Sequence, residues 1–274
     1  MLSKSQTKEA SYLEVGAAGR PTVLFLHGFP ESKEAWTAHL AALGERYRGI
    51  AVDLPGFGES ALDETKDAAG LLERMISTIV SMITKAREGG DGRVILVGHD
   101  WGGILAQATL GLQRAHVDQL ILLNAPHPKR LLALMESSEE QRSRSRYIAY
   151  LQSEYFAAKE RSSDFKRLRF SLFDEVSGVT AETQARYLST WAQVGRLERM
   201  ARVYDLLGPL ASAPIGPITA PTRILWGELD HALTTENIQG LDEYFSDFRI
   251  ETFPHLNHWT NHRILDELKG YFFV

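Results

Sequence analysis

Two glycines flank a central acid in the segment GHDWG at residues 98–102, the pattern with the clearest chemical meaning in the chain. An apolar run at 94–97 precedes it and a helical pattern follows, which is the strand, sharp turn and helix context of a nucleophile elbow. The glycines are required because such a turn is strained and neighbouring backbone passes close to it. We predict that Asp100 is a nucleophile whose anion is favoured by the N-terminus of the following helix. The alternative is that Asp100 serves only as a helix N-cap.

An aspartate at this position predicts a different reaction class from a serine. A serine alkoxide attacks an acyl carbon, whereas a carboxylate attacks saturated carbon, displaces a leaving group and becomes an ester. The segment HGFP at 27–30 follows another apolar run and can aim a backbone N–H at the elbow. Because Pro30 has no N–H, the predicted oxyanion-hole donors are the amides of Phe29 and Trp101. His27 and Pro30 are predicted to line the pocket.

A carboxylate and a histidine follow two later strand-like runs, where ligand-site residues of open α/β sheets lie. Asp230 ends the segment WGELD after the run 222–226, and His258 lies in HLNHW after the run 249–252. We predict that His258 is the general base, because imidazole titrates near neutral pH. Asp230 would then hold the tautomer of His258. Glu228 is the alternative loop carboxylate, and His255 and His262 are the alternative histidines.

The elements that must position these residues are short continuous runs of Val, Ile and Leu. Such runs predict strands buried on both faces of a parallel sheet. They alternate with helical patterns, as in the four-residue spacing of apolar residues over 71–83. The predicted fold class is therefore α/β, with a mostly parallel central sheet flanked by helices. The predicted strands are 22–26, 50–54, 94–97, 119–123 and 222–226.

The segment 128–205 interrupts this alternation. It has no buried-strand run and carries charge-rich helical sequence with interleaved aromatic residues. A helical segment of about 80 residues inside an α/β pattern predicts an inserted cap. The predicted domains are a core of residues 1–127 and 206–274 and an all-helical cap of residues 128–205.

Composition excludes several function classes. The 274 residues contain 30 Lys and Arg against 35 Asp and Glu, and the net charge of −5 disfavours nucleic-acid binding, which depends on neutralising phosphates. The absence of cysteine excludes disulfides, thiolate zinc sites, iron–sulfur clusters and a cysteine nucleophile. No segment has the apolar length of a signal peptide or a membrane span. We predict a cytoplasmic monomer or homodimer that uses no metal and no cofactor.

Together these segments resemble α/β-hydrolases of the epoxide hydrolase group, whose nucleophile is an aspartate. The order of nucleophile, acid and histidine along the chain is that of α/β-hydrolases. The matching segments are HGFPE at 27–31, DLPGFGES at 53–60, GHDWGG at 98–103, LNAPHP at 123–128, LWGELD at 225–230 and NHWT at 257–260. They extend over nearly the whole chain. The resemblance implies the α/β-hydrolase fold, with a helical cap that donates two tyrosines.

The two cap tyrosines are implied by resemblance alone. Tyr147 in YIAYLQ resembles the first of them, and Tyr204 in RVYDLL, near the end of the cap, resembles the other. Tyr150, Tyr155 and Tyr187 are competitors for these roles.

The family chemistry implies a small apolar epoxide and water as the reactants and a diol as the product. The phenol hydroxyls would donate hydrogen bonds to the epoxide oxygen and deliver a proton to it, while Asp100 attacks a ring carbon and becomes a hydroxyalkyl ester. His258 would then activate water to hydrolyse that ester. Tyr150, Trp191 and Trp259 are further candidates for the substrate pocket.

The chain departs from the family pattern in two places. The family usually has glycine before the base histidine, and Asn257 stands there instead. Because asparagine tolerates left-handed backbone better than most residues, we expect the turn to survive. The N-terminus is short, and we expect the first strand of the fold to be missing or reduced.

Three other functions are compatible with the same scaffold. Haloalkane dehalogenases use the same Asp, His and acid together with two halide donors; Trp101 matches the first, and because Phe29 replaces the usual Asn, Trp191 is a candidate for the other. Fluoroacetate dehalogenases place an arginine shortly after the nucleophile, and here none occurs before Arg114. A non-catalytic small-molecule receptor is the alternative of another class. The complete set of nucleophile, acid and base favours an enzyme.

Overall fold

The computed structural model of the chain describes residues 2–7, 10–61 and 67–272. Within these residues, eight strands form one sheet. Their bounds are β1 Ser3–Gln6, β2 Ser11–Val15, β3 Thr22–Leu26, β4 Arg48–Val52, β5 Val94–His99, β6 Gln119–Leu123, β7 Thr222–Gly227 and β8 Phe248–Phe253. The spatial order is β1-β2-β4-β3-β5-β6-β7-β8. β2 is antiparallel to both of its neighbours, and β3 to β8 are parallel to one another.

Twelve α-helices accompany the sheet in the described part of the chain. They are α1 Thr37–Ala42, α2 Ala68–Gly89, α3 Trp101–Gly111, α4 Pro128–Ser137, α5 Glu139–Arg144, α6 Tyr147–Leu151, α7 Phe156–Ser162, α8 Lys166–Leu172, α9 Ala181–Trp191, α10 Arg196–Ala201, α11 Leu207–Ser212 and α12 Leu265–Lys269. Short 3-10 helices lie at Lys33–Trp36, Arg202–Leu206, Thr235–Ile238, Leu241–Glu243 and Thr260–His262.

The central strands are buried on both faces, as their continuous apolar runs require. Every residue of β3, β4, β5 and β6 is buried. The long helix α2 packs on β3 and β5 with a buried face that includes Leu71, Met75 and Ile79. The Asp67 carboxylate caps its N-terminus by accepting a hydrogen bond from the Gly70 amide at 2.7 Å. The prediction of a mostly parallel sheet flanked by helices is confirmed.

The N-terminal half of the sheet differs in detail from the sequence-based expectation. β4 begins two residues earlier than the predicted 50–54 and ends at Val52. The carboxylate of the next residue, Asp53, accepts hydrogen bonds from Lys33. The first strand is not missing: β1 is reduced to four residues and pairs with β2. Neither of these two strands has the continuous apolar run by which β3 to β7 were predicted, since β1 is a largely exposed edge strand and β2 contains Ser11 and Glu14.

Helices α4 to α11 all lie between β6 and β7 in the chain. No strand of the sheet is assigned over 128–205, which lies wholly within the described residues. The division into a core and a cap with those boundaries stays a prediction. No helix among the described residues is both long enough and apolar enough to cross a bilayer.

Candidate active site

Asp100 lies at the sharp turn between β5 and α3. Its backbone has φ 47° and ψ −124°, a left-handed conformation that is strained for a residue with a side chain and costs about 1–3 kcal/mol. The turn is tight enough that a Cβ on Gly98 would lie 2.5 Å from the Cα of Gly103, which explains the glycine at 98. The Asp100 side chain makes no capping hydrogen bond to α3. The interpretation as a helix N-cap is therefore wrong for this side chain.

The HGFP loop lies directly against the Asp100 carboxylate. The Phe29 amide donates a hydrogen bond to Asp100 Oδ2 at 2.9 Å. Gly28 permits this approach, because a Cβ there would lie 2.6 Å from the Asp100 Cβ. Trp101 is the first residue of α3, and its N–H belongs to the first turn, where backbone amides have no partner within the helix. The Phe29 amide therefore contacts the carboxylate, and the role of the Trp101 amide stays a prediction.

Asp230 and His258 meet beside Asp100. His258 Nδ1 lies 2.6 Å from Asp230 Oδ2, and His258 Nε2 lies 3.8 Å from Asp100 Oδ1. Asp230 follows β7 and His258 lies on the loop after β8, so the parallel strands deliver all three residues to the same edge of the sheet. The structure thus brings together the three side chains that the sequence analysis singled out.

The buried Asp230 carboxylate is held in place by four hydrogen-bond donors. Oδ1 accepts from the amides of Ala232 and Leu233 at 2.8 and 2.9 Å. Oδ2 accepts from Asn124 Nδ2 at 2.7 Å in addition to His258. Burial raises the pKa of Asp230, but the charge of His258 and these hydrogen bonds outweigh burial and hold the pKa below its usual value.

His258 has the opposite electrostatic situation. Burial lowers the pKa of its imidazole, but the carboxylates of Asp230 and Asp100 outweigh burial and raise the pKa to about 9. The hydrogen bond from Nδ1 to Asp230 leaves Nε2 facing Asp100. In its neutral form, His258 would therefore present a basic nitrogen to a water molecule beside the Asp100 carboxyl group.

Sequence reasoning missed Asn124, which orients the acid. This residue follows β6 within the LNAPHP segment and is buried. Its Nδ2 donates to Asp230. Its side-chain oxygen accepts hydrogen bonds from the Gly227 amide at 2.8 Å and the Thr260 hydroxyl at 3.1 Å. Its position at the carboxyl end of a buried strand was the one indication available in the sequence.

Tyr147 and Tyr204 approach the site from the helical segment. The Tyr204 ring stands edge-on to the rings of Phe29 and Trp101, each with a centroid distance of 5.2 Å. The Tyr147 ring is 6.1 Å from that of Tyr204. Gln152 Nε2, at the end of α6, donates to the Tyr204 carbonyl oxygen at 3.1 Å and ties the two tyrosine-bearing elements together.

Both phenols are kept in their protonated form. Burial raises the pKa of Tyr147 well above its usual value, and the negative charge of Asp100 raises it further. The hydroxyl end of Tyr147 is buried although 39% of the residue is exposed. Burial also raises the pKa of Tyr204, with further contributions from Tyr147 and Asp100. Two neutral O–H donors thus lie within electrostatic range of the same carboxylate.

Glu31, the last residue of the HGFPE segment, forms another buried hub that sequence reasoning missed. The Glu31 carboxylate lies 2.8 Å from His99 Nδ1 and 2.8 Å from His262 Nε2, and it accepts from Asn261 Nδ2 at 2.9 Å. Burial raises its pKa, but the charges and hydrogen bonds of the two histidines outweigh burial and hold the pKa well below its usual value. His99 Nε2 in turn contacts the carbonyl oxygen of His258 at 2.9 Å, so this hub supports the backbone of the predicted base.

Three of the predicted pocket residues make well-defined contacts within the protein. His27 is fully buried, with Nδ1 2.8 Å from the Gly28 carbonyl oxygen and Nε2 accepting from the Leu54 amide at 3.1 Å. Trp191 Nε1 donates to the carbonyl oxygen of Pro30 at 2.9 Å, and both residues are buried. These contacts hold the HGFP loop and do not leave a donor free for a ligand.

Trp259 lies next to the base, and Tyr150 is engaged elsewhere. The Trp259 ring stands edge-on to His258 at 4.9 Å. The Tyr150 hydroxyl donates to the buried Glu160 at 2.7 Å. The other competing tyrosines have different environments. Tyr155 is 66% exposed, and the Tyr187 hydroxyl donates to Glu31 at 3.2 Å.

The alternative acid and bases occupy other places. Glu228 and His255 are exposed at the surface. His262 contacts Glu31 rather than Asp100 or Asp230.

Known proteins resemble this chain over most of its length. A model described as the alpha/beta hydrolase family matches residues 23–267. The AB hydrolase superfamily protein YfhM of Bacillus subtilis is 31% identical over 259 residues, which cover 91% of this chain and 89% of that protein. Epoxide hydrolase 3 of Xenopus tropicalis is 31% identical over 259 residues, covering 90% of this chain and 69% of that protein.

Solved structures show the same fold. A mutant of an epoxide hydrolase from Bacillus megaterium superposes with a TM-score of 0.82 at 20% identity, covering 98% of this chain and 97% of that chain. A laboratory-evolved variant of a potato epoxide hydrolase superposes with a TM-score of 0.79 at 19% identity and 99% coverage of both chains. At these identities the likeness establishes the α/β-hydrolase fold alone, which is the fold that the resemblance implied.

Proposed function

The chain belongs to the alpha/beta hydrolase family, in the group that includes the epoxide hydrolases, and from this premise we propose that it converts an epoxide and water to a vicinal diol through an ester on Asp100. In the first step an Asp100 carboxylate oxygen forms a bond to a ring carbon while the carbon–oxygen bond of the epoxide breaks. Tyr147 and Tyr204 hydrogen-bond the epoxide oxygen, and one of them transfers its proton to that oxygen as negative charge develops.

In the following step water hydrolyses the ester. His258 Nε2 accepts a proton from the water, which attacks the carbonyl carbon of the Asp100 ester, and Asp230 stabilises the resulting imidazolium. The amides of Phe29 and Trp101 hold the tetrahedral oxyanion. The diol then leaves with a proton from His258, and the proton of the resulting Asp100 carboxylic acid returns to the phenolate left by ring opening, so Asp100 is again a carboxylate and both tyrosines are again phenols.

The observation that carries this proposal is the pairing of two neutral phenols with one carboxylate. A serine-type hydrolase has no use for two O–H donors opposite its nucleophile, whereas ring opening leaves charge on an oxygen that must be protonated. The Tyr204 ring packs edge-on against the rings of Phe29 and Trp101, the residues that carry both predicted amides, and Asp100 acts electrostatically on both phenols. Several relatives carry the name epoxide hydrolase, which supports the same substrate class.

The dehalogenase alternative finds less support. A halide ion needs two N–H donors near the nucleophile. The Trp191 indole N–H already donates to the carbonyl oxygen of Pro30. The residue considered as the second halide donor is therefore not free for a halide.

The test is a panel of small apolar epoxides and haloalkanes, scored for diol and for released halide. We expect diol from at least one epoxide, and no halide. Asp100→Asn should abolish turnover, and Asp118→Asn, which changes a partly exposed aspartate beside the start of β5, the end opposite the elbow, should not. Halide release without diol would favour the dehalogenase, and saturable ligand binding without any product would favour the receptor.

A further inference from the structure

The residue before the predicted base, Asn257, is 5% exposed and points its amide at the non-helical connection between α8 and α9. Its Nδ2 lies 3.3 Å from each carboxylate oxygen of Asp174 and 3.2 Å from the Ser177 hydroxyl. Its side-chain oxygen accepts a hydrogen bond from the Trp259 amide at 3.0 Å. One side chain therefore connects residues 174 and 177 to the backbone on the far side of His258.

Asp174 is itself held in position for this contact. The Ser177 amide donates to Asp174 Oδ1 at 2.6 Å, and the Ser177 hydroxyl donates to the same oxygen. Ser177 is fully buried, whereas Asp174 is exposed. The Asp174 carboxylate thus closes a small turn, and its remaining lone pairs face Asn257.

Another bond joins the same two segments on the other side of the base. Trp259 Nε1 donates to the Ser171 carbonyl oxygen at 2.6 Å. The residues immediately before and after His258 are therefore both hydrogen-bonded to residues 171–177. Asn257, which belongs to the described part of the chain, has no positive φ. We expected the turn to survive because asparagine tolerates left-handed backbone. That reason is wrong, since this residue is not left-handed, and its side-chain amide makes the hydrogen bonds described above instead.

We propose that Asn257 and Asp174 are positioning residues for the ester-hydrolysis step of the reaction. The segment 171–177 fixes the His258 loop through them, and so sets the direction in which Nε2 faces the Asp100 ester. This inference rests on the proposed function. A glycine at 257 would have no side chain to make these contacts, so the coupling depends on the asparagine.

The two-step scheme makes this role separable from a general loss of structure. A misdirected base slows ester hydrolysis and leaves ring opening unchanged. The ratio kcat/KM contains only the steps up to the first irreversible one, which here is ring opening. When ester hydrolysis alone is slower, kcat and KM should therefore fall together while kcat/KM stays constant. A variant that merely loses folded enzyme would lower kcat and leave KM unchanged.

The experiment measures decay of the alkylated enzyme in single turnover, with an epoxide that the wild type converts. We expect Asn257→Ala and Asp174→Ala to slow decay by between about tenfold and a hundredfold, the scale on which misplaced catalytic groups act. The double variant should be no slower than Asn257→Ala, because both changes break the same contact. Glu175→Ala, which removes the neighbouring exposed carboxylate, should decay like the wild type.

Unchanged decay in Asp174→Ala would overturn the inference, as would a lower kcat at constant KM. Asp174→Ala changes an exposed side chain, so it carries the test alone if Asn257→Ala fails to fold. A wild-type enzyme that forms diol, together with Asn257 and Asp174 variants that all decay as fast as the wild type, contradicts only this inference. A wild-type enzyme that forms no ester with any epoxide contradicts the proposed function, and this inference with it.

Discussion

At the residue scale, the charge of Asp100 is coupled to the proton of His258. In the free enzyme, the Asp100 carboxylate is among the charges that raise the pKa of His258 to about 9. Alkylation turns this carboxylate into a neutral ester, so one of those charges disappears. The pKa of His258 should then fall at the step where the neutral base is needed. Ring opening would in this way prepare the base for hydrolysis.

This coupling predicts the behaviour of Asp100→Asn, whose neutral amide imitates the charge of the ester. The pKa of His258, followed by the NMR shifts of its ring protons, should be lower in this variant than in the wild type. Phe29 and Trp101 can keep their places, since the amide has the shape of the carboxylate. Equal pKa values in the two proteins would show that Asp100 does not act on His258.

Replacing the base should separate the two steps. His258→Gln keeps the nucleophile and the phenols, so an epoxide should still alkylate Asp100, while kcat falls by about 10²–10⁴-fold. Intact-protein mass spectrometry should find the enzyme heavier by one molecule of epoxide. His255→Gln, at the exposed histidine of the same loop, should retain full turnover. If no adduct accumulates with a good substrate, the assignment of His258 fails.

Local sequence context was sufficient to single out Asp100, Asp230 and His258, because each follows a strand-like run. Their supporting residues could not be found in this way. Asn124 meets Asp230 across 106 positions of sequence, and Glu31 meets Asn261 across 230. Such contacts depend on the order of the strands in space, which one sequence does not contain.

At the element scale, the two predicted proton donors depend on α6 and the 3-10 helix Arg202–Leu206. The first carries Tyr147 and the other carries Tyr204, and Gln152 connects them. The sequence predicted helices here but could not orient them, because short helical segments can present any of their aromatic residues to a pocket. Tyr150, one turn from Tyr147, is directed to Glu160 instead.

The phenol pair can be tested by conservative changes. Tyr147→Phe with Tyr204→Phe should lower kcat/KM for ring opening by about 10²–10⁴-fold, because the leaving oxygen then has no proton donor. Tyr155→Phe, at a largely exposed competitor, should have no effect. The measurement is the rate of enzyme alkylation in stopped flow. Near-normal alkylation in the double variant would mean that other groups protonate the oxygen.

The strands show where sequence patterns succeed and fail at this scale. β3, β5, β6 and β7 were predicted from continuous apolar runs, because a parallel strand with both faces covered needs such a run. β1 and β2 lie at one side of the sheet and pair antiparallel. They were not predicted, because their polar residues interrupt any continuous apolar run. The site is unaffected, since its residues follow the parallel strands β3, β5, β7 and β8.

At the scale of the whole molecule, stability depends on the same buried charges as the proposed chemistry. The folded state lowers the pKa of Glu31 and Asp230 and raises the pKa of His258. The carboxylates stabilise the fold above their ordinary pKa values near 4, and this stabilisation is lost as the pH falls through the folded values. His258 stabilises fully below 6.5, and its contribution is lost as the pH rises through about 9.

The free energy of unfolding should therefore be greatest between about pH 5 and 6.5 as far as these groups decide it. Between pH 6 and pH 9.5 the wild type should lose on the order of 3 kcal/mol at most through His258. Urea unfolding at the two pH values measures this loss, and His258→Gln should show a smaller one. The same loss in both proteins would mean that other groups govern the alkaline side.

The proposed mechanism depends most on the covalent bond to Asp100, and isotope transfer tests that bond directly. A single turnover of excess enzyme with a converted epoxide in ¹⁸O-water should leave the isotope in the carboxylate of Asp100, because water attacks the ester carbonyl rather than the epoxide. Peptide mass spectrometry should then find the segment that contains Asp100 heavier by one ¹⁸O atom. Diol that carries the isotope while the enzyme stays unlabelled would contradict the account, since water would then have opened the ring itself.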